Sequence, residues 1–187
     1  MVASEVIARA ASTHFGVIGS DTYGASQRGG SVVSHLRLWE SAPCGPLIPG
    51  GEAHIILGFE PAETIRALRA FGNGGTKVIA NLRAVYFPQL PSLEERHGPA
   101  ASWLDTLQGR VGRAIFINGV ELALKAGAPW ALSLVMVGTL VGSRWLPLSL
   151  EDFHKVLRER FSGERLRINL EALRLGYEEC RAGLQVY

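Results

Sequence analysis

A chain of 187 residues is long enough to bury one sizeable core, and 47% hydrophobic with 19% charged residues is the balance of a globular protein. A net charge of +2, with no Lys/Arg cluster interleaved with aromatics, excludes a nucleic-acid footprint, and two cysteines are too few to ligate an iron–sulfur cluster alone. The start, Met1 to Val6, lacks the basic segment of a secretory signal, so a single domain over residues 1–187 in the reducing cytoplasm is expected.

Val2, Val6, Ile7 and Ala10 recur at helical spacing, so the chain is predicted to open inside a helix. His14 to Ile18 is a short strand candidate. It leads into Ser20 to Arg37, whose first half is small, polar and glycine-bearing and whose second half, from Ser31 to Leu38, alternates as a strand does. Tyr23-Gly24 and Arg28-Gly29-Gly30 bracket a segment expected to form one helical turn. Paired glycines let backbone amides approach a bound group, and Arg28 adds a planar fork of donors, so the stretch reads as an anion-binding loop entering a strand. A plain turn with a solvated arginine is the competing reading of those three residues.

Beyond the turn formers of Ser41 to Gly51, the run Ala53 to Phe59 is apolar and of strand length, which suits a sheet covered on both faces. Pro61 stands at a first helical position, Ile65, Leu68 and Phe71 mark a buried face, and Gly72 to Gly75 stops the helix. Thr76 to Ala80 is the next strand, ending at Asn81, which makes a βαβ unit with a parallel pair. Pro88 to Pro99 is a loop or short connecting helix, and Arg113 to Asn118 a fourth buried strand. Helices are predicted over Glu121 to Ala126 and Trp130 to Gly142, then after the Ser149-Leu-Glu-Asp cap, and finally along Leu170, Leu173, Tyr177 and Cys180. Ala131 to Val141 is strongly apolar, but its length and its glycines favour a helix covered by protein over a membrane span.

Gly24-Ala-Ser-Gln-Arg-Gly-Gly-Ser-Val-Val-Ser-His-Leu-Arg37 resembles the signature of the gamma-type domain of 2-oxoacid:ferredoxin oxidoreductases, and within that family the small (beta) subunits of the indolepyruvate type. Gly51 to Thr64 is similar to the family's second strand and the helix after it, and Gly74 to Arg83 to the strand that follows. The resemblance implies a three-layer α/β/α sandwich with a mostly parallel sheet, like domain III of pyruvate:ferredoxin oxidoreductase. It implies a non-thiamine subunit of a complex that oxidatively decarboxylates a 2-oxo acid to acyl-coenzyme A. Thiamine diphosphate and iron–sulfur clusters would sit on partner subunits, and ferredoxin would be reached through the complex. This chain would bind no cofactor alone but would help form the coenzyme A site, through Tyr23, Gly24, Arg28, Gly29, Gly30, Ser31 and Asn81.

Family members open with a strand and a Gly-x-Gly-Gly-Gln-Gly loop before the first helix, so this chain is expected either to be a version shortened at its N-terminus or to have its translation start upstream of Met1. That leaves Arg28 to Ser31 and Asn81 as the support for nucleotide binding. His14, His35, His54, His97 and His154 show no metal spacing, and no catalytic residue is assigned. Glu60 is read as setting the helix that follows it, and Trp103, Trp130 and Trp145 as interface anchors or core residues. The alternative function is a nucleotide-binding or purely structural scaffold with no redox role, for which the isolated chain would be a homodimer.

Overall fold

A computed structural model of the chain describes residues 2–23, 32–82 and 111–183. Helix α1 (Val2–Ala11) buries Ala3, Val6, Ile7, Ala10 and Ala11, the stripe its sequence spacing dictates. Two strands follow, β1 (Gly16–Tyr23) and β2 (Val32–Trp39), paired antiparallel from Gly16 opposite Trp39 to Tyr23 opposite Val32. They form a two-stranded ribbon of their own. The first strand therefore runs on past Ile18 and takes in Ser20 to Tyr23, which sequence reading assigned to a loop. Gly19, Ser20 and Asp21 are poor strand formers, but cross-strand pairing with Leu36, His35 and Ser34 outweighs their propensity. The expected helical turn and the Pro88 to Pro99 segment lie outside the described residues.

The second sheet is parallel, in the order β3 (Ile55–Gly58), β4 (Lys77–Asn81), β5 (Arg113–Ile117). Helix α2 (Pro61–Phe71) makes the crossover between β3 and β4. Its C-terminal Gly72 donates to Leu68 O, and Asn73 and Thr76 then shape the turn, with Thr76 Oγ1 donating to Ala53 O at 2.7 Å. Alternation sends side chains to both faces. Ile56, Val78, Ala80 and Ala114 pack with Ala67, Leu68 and Phe71 of α2, whereas Ile79, Ile115 and Ile117 join the larger core on the other side. Helices on both faces of a parallel sheet make the three layers expected.

The larger core is built round α4 (Leu132–Ser143), reached through α3 (Gly119–Ala126) and a short 3-10 turn at Pro129–Ala131. Every residue of α4 from Leu134 to Gly142 is buried, so its apolar sequence is explained by protein on all sides. No helix of the described residues is long and apolar enough to cross a membrane. Two more helices, α5 (Leu150–Arg160) and α6 (Gly163–Arg181), complete the layer. Trp145 packs against this core, Trp130 stays half exposed, and Trp103 lies outside the described residues.

Ser149 and Asp152 form the capping box that the sequence announces: Asp152 N–H donates to Ser149 Oγ, and Ser149 N–H and Oγ–H donate to Asp152 Oδ2. The other carboxylate oxygen of Asp152 lies 3.1 Å from His14 Nε2, which ties the end of α1 to the start of α5. The Ser149 hydroxyl bond, with His14 adding to it, holds the Asp152 carboxyl below its ordinary range against the opposing effect of burial. A carboxyl depressed in the folded state contributes stability that is complete above its unfolded pKa of about 3.9 and is lost as pH falls through the lower folded value. Asp152→Ala should therefore cost about 1 kcal/mol at neutral pH and less under acid conditions, a difference read from urea midpoints at about pH 7 and about pH 3.

Candidate functional site

In open parallel sheets, ligands gather at the carboxyl ends of the strands, where the helix N-termini also point. Here that edge is made by Phe59 and Glu60 after β3, Asn81 at the end of β4, and Asn118 and Gly119 after β5. Asn81 sits at its centre, fully buried. Its Nδ2 donates to Phe59 O at 3.0 Å, and its Oδ1 accepts the Gly119 N–H at 3.0 Å. One side chain thus fastens the start of α2 and the start of α3 to the middle strand. Asn81 belongs to this edge, as its place in the sequence indicated, and its amide is directed at backbone groups of neighbouring segments.

Asn118 caps α3, with Oδ1 accepting from Glu121 N–H at 3.4 Å and Nδ2 donating to Glu121 Oε2 at 3.0 Å. The helix therefore begins at Gly119, two residues before the sequence reading placed it. Asn118-Gly-Val-Glu121 has the spacing of a capping box with asparagine in place of serine, which is the signal that was there to be read. Glu60 occupies the N-cap of α2, but its carboxylate makes no cap bond. Its backbone carbonyl anchors the helix instead, accepting from Thr64 N–H and from Thr64 Oγ1 at 2.7 Å. Burial, and to a smaller extent the neighbouring Glu63 carboxylate, push the Glu60 carboxyl up from its ordinary value. Glu60 thus stands at the start of α2, where the sequence placed it, and holds the first turn through its main chain.

The other predicted site residues belong to the ribbon. Tyr23 ends β1 opposite Val32, the first residue of β2, and residues 24–31 join the two. Gly24, Arg28, Gly29, Gly30 and Ser31 lie outside the described residues. The end of the ribbon that leads to them is exposed at Asp21, Thr22 and Val32, whereas its midpoint is held at His35, 4% exposed. His35 Nδ1 accepts the Ile48 N–H at 3.2 Å, and Arg37 donates to the carbonyls of Gly45 and Leu47 at 2.9 and 3.1 Å.

The chemistry of these residues is that of binding and positioning. At the carboxyl edge the Glu63 and Glu121 carboxylates are paired with Arg66 and Lys125. His14, Asp152 and Ser149 are within hydrogen-bond reach, but the carboxylate lies between hydroxyl and imidazole, so the imidazole cannot take the hydroxyl proton. Among the described residues no group of three His, Cys, Asp or Glu side chains forms a metal site.

This three-layer arrangement is found in solved structures of keto-acid oxidoreductase subunits. The gamma subunit of a keto/oxoacid ferredoxin oxidoreductase from Geobacter sulfurreducens superposes with a TM-score of 0.69 at 19% identity, covering 97% of this chain and 91% of that one. A 2-oxoglutarate:ferredoxin oxidoreductase from Magnetococcus marinus, solved with 2-oxoglutarate, coenzyme A and succinyl-CoA bound, gives 0.69 at 20% identity over 97% of this chain and 29% of that one. Sequence goes further than shape. Residues 1–179 match the pyruvate ferredoxin/flavodoxin oxidoreductase family, and the chain belongs to that family. The indolepyruvate oxidoreductase subunit IorB of Archaeoglobus fulgidus is 34% identical over 184 residues, 98% of this chain and 90% of the relative. The IorB subunit of Methanothermobacter thermautotrophicus is 34% identical over 161 residues, 86% and 81% of the two chains.

Proposed function

We propose that this chain is the small, non-thiamine subunit of an indolepyruvate-type 2-oxoacid:ferredoxin oxidoreductase. The observation that carries the reading is the 34% identity to an IorB subunit across 98% of the chain. Partner subunits hold thiamine diphosphate and the iron–sulfur clusters, and the assembled complex decarboxylates an aryl pyruvate, passes electrons to ferredoxin and forms acyl-coenzyme A. The complex is cytoplasmic, and this chain completes its coenzyme A site and its subunit interface. Native pull-down with mass identification tests the reading. A brown, thiamine-bearing partner is the expected companion, and a colourless homodimer with no partner would favour the scaffold alternative.

Within that reading Arg28, flanked by Gly29, Gly30 and Ser31 and by Tyr23 and Gly24 on the other side of the connection, meets a phosphate of coenzyme A. Asn81 acts at one remove, by holding the two helix starts at the carboxyl edge. Arg28→Ala should weaken coenzyme A binding to the assembled complex by about 1.5–3 kcal/mol, or about ten- to a hundredfold. Lysine at this position should restore only part of it, having no planar fork. Calorimetric titration reads the change, and unaltered affinity would assign Arg28 to the fold or to the interface.

The isolated chain is expected to show no 2-oxoacid-dependent dye reduction, because two cysteines cannot ligate a cluster and no thiamine-binding segment is recognisable. Activity in the pure chain would overturn the division of labour between subunits.

A further inference from the structure

His35 is the one described histidine that is buried, and the function proposed above does not use it. Three elements meet on its ring. It lies midway along β2, opposite Ser20 of β1. It makes a T-shaped contact with the ring of Phe71, the last residue of α2, with centroids 4.9 Å apart and planes at 90°. Its Nδ1 accepts the backbone N–H of Ile48 at 3.2 Å. Since Nδ1 is the acceptor, the ring is neutral and carries its proton on Nε2. Two residues along the same strand, Arg37 binds the carbonyls of Gly45 and Leu47, so the segment from Gly45 to Ile48 is strapped across the ribbon at three backbone groups.

We propose that His35 is a proton-operated fastener, by which acidification releases the Ile48 end of the Gly45–Ile48 strap from the ribbon. When solvent delivers a proton to Nδ1, the acceptor becomes a donor facing another donor. The bond cannot reverse its sense, because an amide nitrogen has no lone pair to offer. The ring then carries a charge in a nearly closed site, and what its neighbours bring does not compensate. Arg37 on its own strand and Arg69 in the last turn of α2 are cationic. Asp21 of β1 stands opposite Ser34 rather than His35. The strap has no ionisable side chain between Gly45 and Ile48, and Cys44, Glu52 and His54 flank it at either end. None of these groups hydrogen-bonds or ion-pairs with the ring among the described residues. Arg37 keeps its two bonds to the strap at any pH, so the release is local to Ile48 and to the contact with Phe71. The ribbon's midpoint is thereby loosened from α2 without unfolding either sheet.

Amide exchange and imidazole nitrogen shifts of the full chain test this, followed by nuclear magnetic resonance from about pH 8 to about pH 5. The expected result is that Ile48 amide protection, corrected for the intrinsic pH dependence of exchange, falls about tenfold, with the same midpoint as protonation of His35 Nδ1. Val78 and Ile79 in β4 should stay protected throughout. In His35→Gln the step should vanish, because a glutamine oxygen can accept the same N–H but does not titrate. Three results would each overturn the proposal: Ile48 protected while His35 protonates, His35 neutral across the whole range, or Val78 and Ile79 losing protection together with Ile48. A Gln variant that fails to fold leaves the wild-type titration as the deciding measurement.

Discussion

Gly176→Ala is expected to be among the most destabilising single substitutions in this chain, costing about 3 kcal/mol or more. On Gly176 a Cβ would be driven into the carbonyl of Val135, and on Gly138 into the carbonyl of Leu173. Both obstacles are backbone of the facing helix, so no rotamer can relieve them. A Gly142 Cβ would meet Tyr177 O at 2.8 Å, and the contacts advance together along α4 and α6, so the two helices run parallel with their main chains touching. Alanine would regain about 1 kcal/mol of intrinsic helix propensity, which sets the sign of the competition. The clash outweighs that gain because the helices would have to separate along a fully buried seam. Gly74→Ala is the control, since nothing lies within 4 Å of its added Cβ. Thermal unfolding of a chain this size should drop by about 6–12 °C for Gly176→Ala or Gly138→Ala and hardly move for Gly74→Ala.

Asn81→Ala should cost about 2–5 kcal/mol, because it leaves Phe59 O and Gly119 N–H without the fully buried side chain that pairs with both. Asn81→Asp separates the two bonds. An aspartate oxygen can still accept from Gly119 N–H, but an ionised carboxylate offers nothing to the Phe59 carbonyl and is buried as a charge. Burial raises the folded pKa of such a carboxyl above its unfolded value, so the penalty is largest at neutral pH and shrinks as pH falls and the protonated acid can donate. Urea unfolding at about pH 7 and about pH 4.5 checks this: the gap between Asn81→Asp and wild type should narrow at the lower pH. A gap that widens would mean that the Phe59 bond is not what Asn81 contributes.

The elements that could be read in advance are those whose signals are local. Pro61 and Gly72 bound α2 as placed, the strands read at Thr76 to Ala80 and Arg113 to Asn118 fall on β4 and β5, and Ser149 with Asp152 announced α5. The family signature at Gly24 to Arg37 carried the fold class and the kinship later found over residues 1–179. What escaped depends on pairing at a distance. That Ser20 to Tyr23 is strand follows only from its opposite number, Val32 to His35. The partners of Asn81 lie 22 and 38 residues away, so the sequence marks an asparagine at a strand end but not what it holds. The glycines of Ala131 to Val141 already pointed to a helix covered by protein, but not to the main chain that each one meets: Gly138 faces Leu173 of α6, and Gly176 of α6 faces Val135.

The all-round burial of α4 sets a condition on how the protein is made. Synthesis runs from the N-terminus, so Leu132–Ser143 leaves the ribosome before Gly163–Arg181, the helix against which its glycines pack, has been translated. Until then α1, α3 and the sheet can cover only part of it, and a strongly apolar helix is presented to water with one side bare. The nascent chain is therefore prone to aggregate in the interval between the synthesis of α4 and that of α6, and it is α6 that closes this side of the core.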